Sequence, residues 1–345
     1  MRPSLHPRLV NTRSGDAAVF VETLHRQEAL LFDLGDLSPL SPRDVLRITH
    51  VFVTHMHLDH FVGFDRLLRA HIGRDKTIVL VGPDGFTAAV EHKLQAYTWD
   101  LVDRYVADLV FDVVEVRPDT DPEATRLRLK TGFARERTEP PPWSEGPVFH
   151  WEDFSVRVAI LAHHGPSLGY AVQEPLHVNV WPNRLRERGL PTGHWLQPLK
   201  RAVAAGAADD TPIVLPNGKR CPLGDLRSLV SIERGQKIAY VTDVADTAGN
   251  RAAIAELARD ADTFFIESTF SAADRDLALG RAHLSTTAAG EIARAAHARR
   301  VEPFHFSTRY EDEEDAMVAE VLAAFRGDSA EAALTSGKPA GKPRE

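Results

Sequence analysis

The segment HVFVTHMHLDH, His50 to His60, constrains this chain more than any other. The apolar run HVFVT, rich in β-branched residues, predicts a short buried strand over His50–Thr54. Directly after it, His55, His57, Asp59 and His60 fall within six residues. Two imidazoles two positions apart suit an extended loop that presents both to one cation. Asp59 and His60 can then turn toward a neighbouring ion, and two ions ~3.5–4 Å apart can clamp and activate a bridging hydroxide. For a lone histidine, a polar turn or a core hydrogen bond would be the plainer explanation. Four such groups at this spacing, after an apolar strand, disfavour it.

Composition narrows the chemistry. The one cysteine, Cys221, excludes a disulfide framework, a thiolate zinc cluster and a Cys-ligated iron–sulfur centre within one chain. A metal site must therefore draw on the 16 histidines with Asp and Glu. Lys and Arg number 41 against 49 Asp and Glu, a net charge of −8. That excludes a general basic coat for nucleic acid but leaves room for a local patch. No segment approaches the ~18 apolar residues of a membrane helix. The N-terminal MRPSLHPRLVNTRSGD lacks an apolar signal core, so with one cysteine the chain reads as cytoplasmic.

Along the chain, strands alternate with helices, an α/β pattern of two βα halves rather than a Rossmann array. Strands are expected at Ala18–Glu22 and Ala29–Asp33 (a hairpin), Thr77–Val81, Val110–Val116, Arg126–Lys130, Phe154–Leu161, Leu168–Gln173, Lys237–Thr242, Thr263–Glu267 and Val301–Phe306. Helices are expected at Phe61–His71, Gly85–Arg104, Asn250–Arg259, Thr286–Arg300 and Asp312–Arg326. The Pro-rich Arg135–Pro147 reads as a loop. Residues 174–236 read as an inserted arm-like segment within a domain of residues 1–326. The arm carries basic residues at Arg184, Arg186, Arg188, Lys200 and Arg201, which either contact an RNA backbone or form a solvated face. The tail, 327–345, is small and polar and reads as disordered.

The H-x-H-x-D-H pattern after a strand resembles the signature of the metallo-β-lactamase superfamily. Five further motifs follow in order: His163 in LAHHGPSLGY, Asp243 ending KIAYVTD, Glu267 in FFIEST, His283 in RAHLST and His305 in EPFHFSTRY. RGLPTGHWLQPLK and VLPNGK add to them. Together they resemble ribonuclease Z, the endonuclease family that trims the 3′ end of tRNA precursors. The resemblance covers about Asn11 to Arg326 in motif order.

The resemblance implies an αββα sandwich holding two zinc ions, with manganese as the alternative metal, and a homodimer. It implies His55, His57, His163 and Asp243 around one ion. Asp59, His60, His305 and a bridging Asp243 would surround the other. His163 is preferred to His164 because it stands seven residues before Tyr170, the family's spacing. Asp59 would orient or deprotonate water. Glu267 and His283 would deliver a proton to the departing oxygen, although alone they could be a strand-end carboxylate and a polar helix start. Ser307 and Arg309 could bind a phosphate, or Arg309 could pair with Glu311 or Asp312.

Three departures from the family pattern stand out. The chain lacks the family's glycine-rich opening strand. LFDLGDLSPLSP, Leu31 to Pro42, replaces a Gly-Glu-Gly-Thr stretch. The interval from His60 to His163 holds the additional Pro140–Pro142 run. The expected function is a dinuclear zinc phosphodiesterase cutting tRNA precursors to leave a 3′-hydroxyl. The alternatives are a hydrolase of a small phosphodiester, lactone or thioester, and a non-catalytic RNA-binding protein.

Overall fold

The computed structural model describes residues 4–24, 27–144 and 146–328. The tail expected to be disordered lies, beyond Asp328, outside them. The chain divides into two compact units, one of residues 1–172 and 236–345, the other of residues 173–235.

The larger unit is built on two sheets. Eight strands form the first, in chain order: β1 (Leu5–Leu9), β2 (Val19–Thr23), β3 (Ala29–Phe32), β4 (Ile48–Phe52), β5 (Lys76–Pro83), β6 (Leu109–Val116), β7 (Glu123–Arg128) and β8 (Arg135–Thr138). The strands β3 to β6 run parallel, and antiparallel strands close both edges. The second sheet begins with β9 (Trp143–Ser144), β10 (Val148–His150), β11 (Ser155–Ala162) and β12 (Pro166–Gln173). The smaller unit contributes β13 (His177–Val180), β14 (Pro212–Val214), β15 (Arg220–Pro222) and β16 (Val230–Glu233) as two separate antiparallel pairs. Then β17 (Lys237–Val241), β18 (Thr263–Glu267) and β19 (Val301–Phe304) complete the second sheet in the order β19-β18-β17-β12-β11-β10-β9.

The alternation of side chains along each strand sets the layers. In β3, Leu30 and Phe32 join an intersheet core with Tyr170, Ile238 and Tyr240, while Ala29 and Leu31 face the other way. Those outer residues pack with Val45, Leu67, Phe86 and Val90 from helices Pro42–Arg47, Phe64–His71 and Phe86–Gln95. In β17, Ala239 and Val241 likewise face Ile254, Ile292 and Val321 of helices Ala248–Leu257, Thr286–Ala295 and Glu314–Arg326. Both faces of the central strands are therefore buried, which explains their near-continuous apolar sequences. The result is the αββα order of layers. The smaller unit has its own core around Leu185, Trp195, Leu199, Leu223 and Leu229.

Several sequence expectations are corrected. Arg135–Pro147 is not all loop: Arg135–Thr138 pairs with β7, and Trp143–Ser144 pairs with β10. The proline run joins the last strand of one sheet to the first of the other. The helix expected to reach Arg104 ends at Gln95, because the Trp99 indole N–H donates to Leu94 O (2.8 Å) and takes a terminal carbonyl. The expected helix Phe61–His71 breaks at Val62–Gly63, where a Cβ on Gly63 would stand 2.2 Å from Gly35 O. An N-terminal strand is present after all: LHPRL pairs with β2 at a sheet edge, where Pro7 removes no ladder bond that a neighbour needs.

His50 gives this fold a pH dependence. Its ring is buried against Trp151 and Phe154 at centroid distances of 4.9 and 5.2 Å. Burial, helped by the Lys76 charge, pushes its pKa down to about 4. The unfolded chain therefore binds this proton more readily. Stability from His50 is full above about pH 6.5 and is lost as pH falls toward 4. Denaturant titrations should show His50→Leu flattening that acid loss by on the order of 3 kcal/mol; an unchanged pH profile would remove His50 as its source.

Candidate metal centre

The carboxyl ends of β4, β11, β17, β18 and β19 lead into His55, His163, Asp243, Glu267 and His305. Ligands in open α/β sheets gather at such ends. Three non-glycine residues here, Asp33, Asp243 and His305, hold left-handed backbone with φ of 56°, 51° and 58°. Each costs of order 1 kcal/mol, and only a surrounding bond network sustains such geometry.

All seven residues nominated as metal donors come together. One ligand atom each from His55, His57, His163 and Asp243 lies within 4.8 Å of the others, and the same holds for Asp59, His60 and His305. Asp243 joins the groups with different oxygens. Its Oδ1 lies 3.9 Å from His55 Nε2 and 3.7 Å from His163 Nε2. Its Oδ2 lies 3.0 Å from His60 Nε2 and 3.5 Å from His305 Nε2. Asp59 Oδ2 lies 3.3 Å from both His60 Nε2 and His305 Nε2. The adjacent His164 is exposed and belongs to neither group.

Four of the histidines have their second nitrogen engaged. His55 Nδ1 meets Thr54 Oγ1 at 3.1 Å, and His60 Nδ1 meets Asp33 Oδ2 at 2.9 Å. His163 Nδ1 donates to Ala282 O at 2.8 Å, and His305 Nδ1 meets Thr269 Oγ1 at 3.3 Å. Such partners fix ring orientation and leave Nε2 available to a cation. Burial pushes the His55 pKa down to about 3, so its ring is neutral, the form that binds metals. Burial works against charge on Asp59 and Asp243. A hydrogen bond from His305 and the nearby His60 ring override it at Asp59, and the charges of His305 and His60 do so at Asp243, so both stay carboxylates.

A divalent cation fits this donor set. The Nε2 atoms of His55 and His60 are buried without a hydrogen-bond partner, although Asp243 is close to both. Orphaned buried imidazole nitrogens facing carboxylates are what a cation would satisfy.

Beside the donors, Glu267 is fully buried and its Oε2 accepts from His283 Nδ1 at 2.9 Å. Backbone N–H groups of Val244 and Leu284 also donate to Glu267, at 2.7 and 3.3 Å. Burial opposes charge on His283, but the Glu267 carboxylate pushes its pKa up to about 9. The imidazole thus holds a proton.

Ribonuclease Z of Deinococcus radiodurans is 30% identical over 305 residues, covering 87% of this chain and 89% of the relative. The chain belongs to the ribonuclease Z family. No family model matches it. Solved structures show the metallo-β-lactamase fold. Human short-form tRNase Z superposes with a TM-score of 0.52 at 19% identity, over 89% of this chain and 92% of that one. The metallo-β-lactamase fold protein YhfI of Bacillus subtilis superposes with a TM-score of 0.54 at 14% identity, over 95% of each.

In this ribonuclease Z family member two of the donors, Asp59 and His305, open on a cleft of about 310 Å³ that is also lined by Arg281, His283 and Ser307. Ser307 is thus near the donors, but Arg309 does not line the cleft. Its guanidinium lies over the Phe270 ring at 5.6 Å and 3.8 Å from Asp274, a partner other than Glu311 or Asp312. Among the described residues, the arginine on the cleft wall is Arg281, the first residue of RAHLST, to which the sequence reading gave no role.

Sequence reasoning also missed two positioning residues. Asp33 accepts from Thr54 N (2.7 Å), Thr54 Oγ1 (2.9 Å) and Tyr240 OH (2.8 Å) besides meeting His60. Asn250 donates to Ala162 O and Ala245 O, both at 2.8 Å, and so ties the chain beside His163 to the chain after Asp243. The D-x-G of Asp33–Gly35 was the available signal for the first; a helix Asn gives none for the second. Asp33→Asn should lower metal affinity ~10–100-fold, the usual effect of losing an outer-shell carboxylate. Competition with a chromogenic chelator measures it, and wild-type affinity in a folded variant would deny Asp33 this role.

Proposed function

We propose that this chain is a dinuclear zinc endoribonuclease that cuts tRNA precursors on the 3′ side and leaves a 3′-hydroxyl. The observation that carries the reading is Asp243, which turns one carboxylate oxygen to each donor group beside the Glu267–His283 pair. The family supplies the substrate class. Imidazole and carboxylate donors suit zinc, with manganese as the alternative.

His55, His57, His163 and Asp243 would hold one ion; Asp59, His60, His305 and Asp243 would hold the other. Bound there, the two cations would offset phosphodiester charge and lower the pKa of water between them. Asp59 would accept a hydrogen bond from the attacking water and orient it toward phosphorus. Glu267 holds the His283 proton on Nδ1 and favours the charged ring. His283, on the cleft wall, would then pass its Nε2 proton to the departing 3′-oxygen. Ser307 would donate to a non-bridging phosphate oxygen.

The smaller unit would serve as the RNA-gripping arm. It holds nine Lys and Arg against six Asp and Glu, in a chain of net charge −8. Arg184 and Arg188 bond to the backbone of Ser228 and Asp225, which leaves Arg186, Lys200 and Arg201 as the phosphate candidates. The proposal includes a cytoplasmic setting and a homodimer, both carried over from the sequence reading; light scattering tests the second.

Two experiments bear on this reading. At saturating metal, Glu267→Ala and His283→Ala should still hold both ions and each lose on the order of 10²-fold or more in turnover. The double variant should be little worse, because paired residues are non-additive; multiplicative losses would separate the two. Neutralising Arg186, Lys200 and Arg201 should weaken pre-tRNA cleavage and its salt dependence while sparing a small chromogenic phosphodiester. Hydrolysis of that small diester with no cut in any tRNA precursor would instead favour a small-molecule hydrolase.

A further inference from the structure

Thr269 stands where three groups of the site meet. It is buried, and its Oγ1 lies 2.5 Å from Glu267 Oε2, 3.3 Å from His283 Nδ1 and 3.3 Å from His305 Nδ1. We propose that Thr269 is a positioning residue that extends the hold of Glu267 to a second histidine, so that one carboxylate fixes the tautomers of both His283 and His305. The proposal rests on reading His305 as a metal donor.

Counting protons gives the direction of each bond. An ionised carboxylate only accepts, and a hydroxyl has one proton to give. The shortest contact of Thr269 is with Glu267, so its proton goes there. Any nitrogen facing Thr269 Oγ1 must then donate. His283 Nδ1–H already donates to Glu267 at 2.9 Å. For His305 Nδ1–H, the acceptor found among the described residues is Thr269 Oγ1. The His305 proton is thereby held on Nδ1. Its Nε2, 3.3 Å from Asp59 Oδ2 and 3.5 Å from Asp243 Oδ2, is then the nitrogen that would exchange its hydrogen bond to Asp59 for a bound cation.

The chain His305→Thr269→Glu267 makes the proton-delivery pair and one metal donor share an anchor. A hydrogen-bonded chain of this kind strengthens each link in a dry interior. Without the hydroxyl, His305 Nδ1–H would be buried with no acceptor. The ring would then turn or move its proton to Nε2, where it blocks a ligand.

The test compares Thr269→Val, which keeps shape and removes the hydroxyl, with Thr269→Ser, which keeps the hydroxyl. Zinc content and affinity are read with a chromogenic chelator, and turnover with a small phosphodiester. T269V should hold one zinc as wild type does and bind the other ~10–100-fold more weakly. At saturating zinc its kcat should fall with KM little changed, and T269S should recover both readouts. Long-range nitrogen–proton NMR of the zinc-loaded wild type should show His305 protonated at Nδ1, with that proton slow to exchange. A bare His305 Nδ1 in wild type overturns the proposal without any variant. So does a T269V protein with wild-type zinc affinity and kcat. A wild-type chain that takes up fewer than two zinc ions overturns the two-ion reading itself, and this proposal with it.

Discussion

Asp243 is 3% exposed, and a carboxylate buried that deeply costs several kcal/mol unless opposite charge or hydrogen bonds surround it. Here five imidazoles crowd its two oxygens. Those rings come from several segments, among them the loop after β4 and the ends of β11 and β19, because no single segment can place them all around one carboxylate. The two-sheet body answers that demand. It brings strand ends from both sheets to one rim, and buries each central strand on both faces so that the rim is rigid. The cluster of unfavourable backbone angles at Asp33, Asp243 and His305 shows where the fold yields to the site.

Much of this was legible in the sequence, for reasons that differ by residue. His55 to His60 sit on one loop, so their spacing alone carries the chemistry. His163, Asp243, Glu267 and His305 became legible through the resemblance to ribonuclease Z motifs, and each stands at or after the end of an apolar strand, where a polar side chain can leave the core. The alternating strand and helix patterns pointed to an α/β chain of two βα halves, and the αββα order came from the resemblance. Where those patterns failed, a particular contact overrode them. The Trp99 indole ended a helix that composition would have continued. The pairing of Arg135–Thr138 with β7 made an edge strand of charged residues, since an edge needs only backbone groups and tolerates charge.

Positioning residues were the illegible part. Asp33, Asn250 and Thr269 act by meeting atoms far away in sequence, and their own neighbourhoods read as strand end, helix start and loop. Thr269 is two residues from Glu267 and 36 from His305, so the bond to the second exists only once β18 and β19 lie side by side. Arg281 and Arg309 illustrate the same limit. Both are arginines near a motif, and only the packing of Phe270 and Asp274 decides which one the cleft receives.

The scatter of the donors along the chain has a consequence for biosynthesis. The loop carrying His55 to His60 leaves the ribosome early, whereas Asp243 and His305 belong to strands near the far end of the body. Until Lys237–Val241 has docked, the early histidines lack the carboxylate that joins the two groups, and until Val301–Phe304 has docked the second group is short of a ring. A nascent or truncated chain can therefore offer only stray imidazoles, each a weak and exchangeable trap. With the proposed donors, tight metal capture would be a late event, coincident with closure of the second sheet. Loading would then double as a check on completeness: a chain that stalls before its last strand would stay an unarmed nuclease.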